Sequence, residues 1–319
     1  MDMLASLGWF ALGVLLLALG GDSIIKGAAG LSRRLGASPF AAGVILVTVA
    51  TSLPELAVNL HAVWQGHTGL ALGNAVGSNV VNIGLTLGAA AVAAPLLVRW
   101  RALSPLLGLL LAGTVVVALL GLDGTLSRIE GIGLLVAFVA VLAFDLTRRR
   151  DVAPELRAEI EAFTETRAGL GLNLARFAIA AALLYYGARF VVDGALGLGP
   201  ALGMSPLLLG LLPVAIGTAL PEVAAAIAAA RRGQGDMVLG HVIGASLFNL
   251  LVVVGGMAVL RPLPVPASFV RLEWPAAFVL ALMLVPMLRG DLRLERREGG
   301  VLLAAFAGWV LLEWWVMHH

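Results

Sequence analysis

Two stretches decide the reading: LGASPFAAGVILVTVATSLPE at 35–55 and LGMSPLLLGLLPVAIGTALPE at 202–222, which share ten identities in 21 positions. They lie 167 residues apart, and the same offset aligns GNAVGSNVVN (73–82) with GHVIGASLFN (240–249) without a gap. Upstream, Gly20, Gly27 and Gly30 match Gly187, Gly194 and Gly197. The shared residues include Pro, Glu and Asn set in otherwise apolar runs, which a chance alignment of apolar sequence does not produce. The chain therefore carries an internal repeat, one copy in each half.

The surroundings of the repeat are apolar. Of 319 residues, 60% are hydrophobic and 13% charged, against about 25% charged in an average soluble domain. Apolar runs recur at lengths that suit a hydrocarbon core of about 30 Å, which takes roughly 20 helical residues to cross. Ten candidate spans follow, at about 6–32, 38–64, 69–95, 103–121, 128–147, 171–194, 203–230, 236–260, 270–288 and 300–316. The expected fold is an all-α polytopic membrane protein, in which 1–147 forms a first five-helix unit and 170–319 a second. The polar stretch RRRDVAPELRAEIEAFTETRAG (148–169) joins them as a cytoplasmic linker. The first residues, MDMLASLGWF, lack a basic segment and read as the start of a span. The arginines sit in short loops and form no continuous patch, which excludes a nucleic-acid partner. There is no Cys, so thiolate zinc or iron–sulfur sites are excluded. No cofactor and no obligate protein partner are expected; the partners are the bilayer and transported ions.

Orientation follows from the Lys/Arg bias of loops. With the N-terminus outside, sixteen arginines fall on the cytoplasmic side (33, 34, 99, 101, 148, 149, 150, 157, 167, 176, 231, 232, 289, 293, 296 and 297) and three outside (128, 261 and 271). Both termini are placed outside, in a prokaryotic inner membrane. Five spans per half is an odd number, so the second half inserts upside down relative to the first. Inverted repeats of this kind mark secondary transporters, whose sites lie near the midplane on interrupted helices.

Four acidic residues lie well inside spans: Asp22, Glu55, Asp193 and Glu222. A charge at the centre of a membrane helix costs about 2.5–3.5 kcal/mol, so two glutamates at matched depth call for a compensating cation or protons. Thr51 and Ser52 precede Glu55 by four and three residues and would share its face on a helix. Pro54 has no N–H to give the carbonyl of Ala50. Thr218, Pro221 and Glu222 repeat the arrangement, with the carbonyl of Gly217 left free. Carboxylate, hydroxyl and carbonyl oxygens would thus collect in one place, as Ca2+ requires with its six to eight oxygen ligands. No Met or Cys lies in these motifs, which argues against soft metals. The following helices add Ser78 with Asn82 and Ala245 with Asn249, on small-xxx-small pairs Gly73/Gly77 and Gly240/Gly244. Asp22 with Lys26, and Arg189 with Asp193, are i,i+4 pairs with signs exchanged between the halves; a structural ion pair is the expected role of each. His241 stands where the first half has Asn74, and a packing role is expected ahead of a proton relay.

These motifs resemble the two alpha-repeats of the cation/Ca2+ exchanger superfamily, nearest its prokaryotic sodium/calcium exchanger branch. The family pattern, approximately G-T-S-L-P-E followed by G-N-x-x-G-S-N-x-x-N/D, is met here by A-T-S-L-P-E with G-N-A-V-G-S-N-V-V-N and by G-T-A-L-P-E with G-H-V-I-G-A-S-L-F-N. The resemblance implies that Glu55 and Glu222 are the central metal ligands. It implies that Thr51 and Thr218, with the backbone carbonyls near Thr48 and Ala215, complete the Ca2+ and Na+ sites. Ser52 and Ser78 would serve Na+, and Asn82 and Asn249 would line the centre. The implied mechanism is alternating access, with the first and sixth helices sliding over the other eight. Three departures stand out: Ala219 and Ala245 replace serines, and His241 replaces an asparagine. The expected function is Ca2+/Na+ antiport, with Ca2+/H+ exchange through the same glutamates as the alternative. A passive channel and an intramembrane hydrolase fit less well, the first because of the inverted repeat, the second because no Ser/His or paired-Asp constellation is present.

Overall fold

The computed structural model describes residues 2–34, 51–148 and 169–318. Thr48, the first part of the expected 38–64 span and nearly all of the linker lie outside them. The helices are α1 (Met3–Arg34), α2 (Leu53–Trp64), α3 (Thr68–Ala93), α4 (Trp100–Leu120), α5 (Arg128–Arg148), α6 (Leu170–Leu202), α7 (Pro206–Arg231), α8 (Gly235–Leu260), α9 (Phe269–Arg289, running on to Asp291) and α10 (Arg296–His318). Eight of these, all but α2 and α5, are long and apolar enough to cross a membrane. The expected and observed bounds differ most at α6. The sequence places the end of this span at 194, whereas the helix runs through Pro200 to Leu202 and stops on Gly203 at φ 63°, a left-handed glycine supplying the stop.

α3 and α8 are the most enclosed spans, each 83% buried, and they form the centre of the bundle. Both widen into π turns that begin on an asparagine, Asn82–Leu87 and Asn249–Val253. A third π turn, Gly210–Val214, lies within α7. π turns of this kind collect at functional sites.

Glycines set the close crossings. A Cβ on Gly77 would lie 2.5 Å from the Leu211 carbonyl oxygen, and one on Gly73 would lie 2.5 Å from that of Leu207, so α3 and α7 touch backbone to backbone. α1 and α6 pair antiparallel in the same manner. A Cβ on Gly13 would come within 2.6 Å of the Val191 nitrogen, and one on Gly194 within 2.6 Å of the Phe10 nitrogen. This pair rests on α2 and α7 through Gly21 against Pro54 and Phe10 against Gly217.

Short strands tie the two ends of the bundle. β1 (Leu96–Leu97) pairs antiparallel with β4 (Arg293–Leu294), and β2 (Thr125–Leu126) with β3 (Leu263–Pro264). Adding 167 to the first residue of β1 gives 263, the start of β3, and adding 168 to that of β2 gives 293, the start of β4; β1 thus pairs with the counterpart of β2, and β2 with the counterpart of β1. The same exchange holds for glycines. Gly131 of α5 packs on Gly255 of α8, and Gly299 of α10 packs on Gly88 of α3, where 88 + 167 = 255 and 131 + 168 = 299. Ser127 and Glu130 form a reciprocal cap at the start of α5, with the Ser127 N–H donating to Glu130 at 2.7 Å; the Glu295 N–H donates to Glu298 at 2.8 Å at the start of α10.

Ten of the described arginines divide between these two ends. Arg128, Arg261 and Arg271 lie at the end holding His67 and the β2·β3 pair; Arg99, Arg231, Arg232, Arg289, Arg293, Arg296 and Arg297 lie at the end holding β1·β4. At the latter, Arg99 grips Asp236 with its Nε at 2.6 Å and its backbone N–H at 2.7 Å.

Candidate functional site

The repeated Pro-Glu motif takes two different backbones. In the first half Thr51 and Ser52 form a turn, and α2 starts at Leu53 with Pro54 in its first turn. Thr51 and Ser52 therefore do not share a helical face with Glu55, as the spacing suggests; they approach it from the turn ahead of the helix. Pro54 favours this break, since its ring disfavours helical backbone in the residue before it. In the second half α7 is helical through Thr218, Pro221 and Glu222.

Glu55 is 4% exposed and Glu222 12%, and the two carboxylates lie within electrostatic reach of each other. Glu55 occupies the first turn of α2, where unpaired backbone N–H groups and the helix dipole favour a negative charge. Glu222 has no such help in mid-helix. Its neighbour is His241, whose Nε2 lies 3.7 Å from a Glu222 oxygen.

Several of the other candidate residues carry buried polar atoms. Ser52 is 1% exposed with an unpartnered hydroxyl, and the Oε2 of Glu55 is likewise unpartnered. The Thr218 hydroxyl donates to the carbonyls of Val214 at 3.0 Å and Ala215 at 3.3 Å, which leaves its oxygen lone pairs free to accept. The Ser78 hydroxyl donates to Asn74 at 3.4 Å. Asn82 and Asn249 open the two π turns and are 3% and 1% exposed; the Asn249 side-chain oxygen is unpartnered. Desolvated, unpaired oxygens are costly, and oxygens of this type are the ligands a hard cation takes.

The ion pairs sit elsewhere. Lys26 is 2.6 Å from Asp22, and Arg189 is 3.5 Å from Asp193; all four side chains are exposed within the protein. The two alanines that replace serines are both buried, and Ala219 packs with Val81, Ala215 and Phe306.

Three further residues not singled out in the sequence carry buried, unpartnered polar atoms. Asn59, one turn after Glu55, is fully buried with both amide atoms unpartnered, and Asn79 and Ser246, which are 167 residues apart, each hold an unpartnered oxygen. The signal was present, a polar residue in an apolar run, but Asn59 has Ala226 as its counterpart and so escapes a search by repeat.

A bundle of apolar helices that encloses paired carboxylates between two related halves defines a membrane transport protein. The sodium/calcium exchanger protein family matches residues 5–147 and 172–315, and the chain belongs to it. The chain is 35% identical over 97% of its length to the putative antiporter CaxA of Alkalimonas amylolytica, covering 99% of that protein. It is 34% identical over 98% of its length to the inner membrane protein YrbG of Escherichia coli, covering 98% of it. To the sodium/calcium exchanger MaX1 of Methanosarcina acetivorans it is 26% identical over 96% of its length and 97% of that protein. Its fold matches the solved sodium–calcium exchanger NCX_Mj, soaked with Na+ and Sr2+, with a TM-score of 0.66 at 28% identity, over 96% of this chain and 98% of that one. The protein is an integral membrane transporter and not an enzyme.

Proposed function

We propose that this chain is a Ca2+ antiporter that exchanges Ca2+ for Na+ by alternating access, in two inverted five-helix repeats, with Glu55 and Glu222 as the central ligands. The observation that carries the reading is the meeting of these two intramembrane carboxylates with no Lys or Arg paired to either among the described residues. Thr51, Ser52, Ser78, Asn82, Thr218 and Asn249, with the carbonyls of Thr48 and Ala215, would supply the remaining oxygens. The exchanged strand and glycine pairs support the inverted repeat, and the names of MaX1 and NCX_Mj support Na+ as the counter-ion. The glycine-lined α1/α6 pair supports the sliding unit, since smooth backbone contact lets it move as one body.

Proton exchange is the second reading. It is favoured by His241 beside Glu222 and by the two alanines that withdraw hydroxyls from the second half. Two carboxylates side by side are also costly to keep ionised once the cation leaves. The test is 45Ca2+ uptake into proteoliposomes under an outward Na+ gradient at fixed pH and clamped voltage. Uptake that ignores Na+ and follows a proton gradient would transfer the function to the second reading.

The membrane reading places the chain in a prokaryotic inner membrane with both termini outside. A cysteine introduced at Glu159 is then labelled only from the cytoplasm and one at His67 only from outside; reversed labelling would invert the orientation.

A further inference from the structure

The bundle holds a second pair of buried carboxyls, away from the first. Glu273 closes the π turn Phe269–Glu273 at the start of α9, and Glu313 lies in the last turns of α10. Both are fully buried, although neighbours of Glu313 on the same helix, Leu312, Trp314 and Trp315, are exposed. They are within electrostatic reach of each other, at the end of the bundle that holds the β2·β3 pair. All four of their oxygens lack a hydrogen-bond partner.

The groups nearest to them are the Ser268 hydroxyl beside Glu273 and the Trp309 indole beside Glu313, one helical turn back on α10. Both side chains carry a buried polar atom with no partner, and so does Trp274, whose ring packs on Gly121 just after α4. The charged and titratable residues at this end of the neighbouring elements are His67 ahead of α3, Asp123 after α4, and Arg261 and Arg271 around the start of α9. None of them is ion-paired with either glutamate among the described residues.

Two buried like charges without a counter-charge are not sustainable. A metal ion suits the place poorly: beyond the carboxylates it offers one hydroxyl, and its other polar groups are indole N–H donors, which repel a cation. The candidate residues for the Glu55/Glu222 site differ, carrying amide and hydroxyl oxygens. We infer that Glu273 and Glu313 form a proton-binding site separate from the cation site, in which at least one of the two carboxyl groups holds a proton. The proton comes from water and resides on a carboxyl oxygen, which removes one of the two buried like charges. The Trp309 N–H and the Ser268 hydroxyl are placed to donate to the remaining negative oxygens.

Infrared spectroscopy on the full-length protein in lipid nanodiscs tests this without relying on transport. With saturating Ca2+ at pH 7.5, the carbonyl stretch of a protonated carboxylic acid is expected, with a shift in 2H2O. It should persist in a Glu55→Gln/Glu222→Gln background and disappear in Glu313→Gln. Glu273→Asp, which keeps a carboxyl group, should retain a displaced band and guards against a misfolded Gln variant. Absence of the band from the parent protein would overturn the inference, as would its removal by added Na+ at constant pH, which would reveal a metal site.

Discussion

Glu55 and Glu222 occupy matched places in a repeated motif, yet each is accommodated by different means. Glu55 sits in the opening turn of a helix, where the helix dipole favours its charge. Glu222 sits within an unbroken helix and has a histidine at 3.7 Å instead. Matched sequence thus yields matched carboxylates in unmatched fields. The first half meets its charge with fixed backbone dipoles, which do not titrate, whereas the second uses an imidazole, which does.

The largest expected effect falls on what the halves share. Glu55→Gln and Glu222→Gln should each lower 45Ca2+ uptake by at least about 100-fold, since loss of one compensating charge of about 3 kcal/mol corresponds to two decades. Size-exclusion profiles should stay those of the parent, and a variant that transports normally would remove its glutamate from the site. Next come the exchanged contacts of the scaffold. Gly88→Val and Gly255→Val both drive side chains into the facing helix, where a Cβ already meets the carbonyls of Gly299 at 3.1 Å and Gly131 at 2.9 Å. Each should lower thermal stability by about 1–3 kcal/mol. Clearly unequal losses would show that the halves do not bear on each other alike.

Smaller effects probe what the halves do not share. His241→Asn gives the second half the residue that the first half carries at the matching position, Asn74. At pH 6, where an imidazole carries charge and competes with Ca2+, apparent Ca2+ affinity should rise several-fold, about 1 kcal/mol for one charged contact; at pH 8 it should hardly change. An equal shift at both pH values would leave His241 a packing residue. Ala219→Ser with Ala245→Ser should change Na+ dependence least, by about two- to threefold, because a serine at 219 enters an apolar cluster with Val81 and Phe306 and its hydroxyl can turn back to the carbonyl of Ala215. Unchanged Na+ activation in flux assays would place these positions outside the Na+ sites.

Much of this architecture was legible in the sequence because polar residues are conspicuous in apolar helices. The Pro-Glu motif, the asparagines that open the π turns and the sixteen-to-three split of arginines all show against that background. What was not legible depends on neighbours or on backbone. Thr51 and Ser52 read as part of a helix because spacing alone cannot register the turn ahead of Pro54. The contact of His241 with Glu222 crosses from α8 to α7 and leaves no periodic trace. Glu273 and Glu313 lie near span ends, where a glutamate ordinarily reaches headgroups, so only their full burial distinguishes them. Asn59 breaks the repeat that made its neighbours visible.

The strand pairs at the two ends bear on how the chain is made. Leu96 meets Leu294, a separation of 294 − 96 = 198 residues, and Leu126 meets Leu263, a separation of 137. The first half cannot therefore finish at the ribosome: two of its seams stay open until the second half has been synthesised and inserted. Contacts this distant in sequence are slow to close. During that interval the carboxylate of Glu55 faces an incomplete bundle, and assembly, rather than any single helix, first removes it from lipid. Two fragments severed within 148–169 should accordingly be degraded when made alone and restore a stable protein when made together.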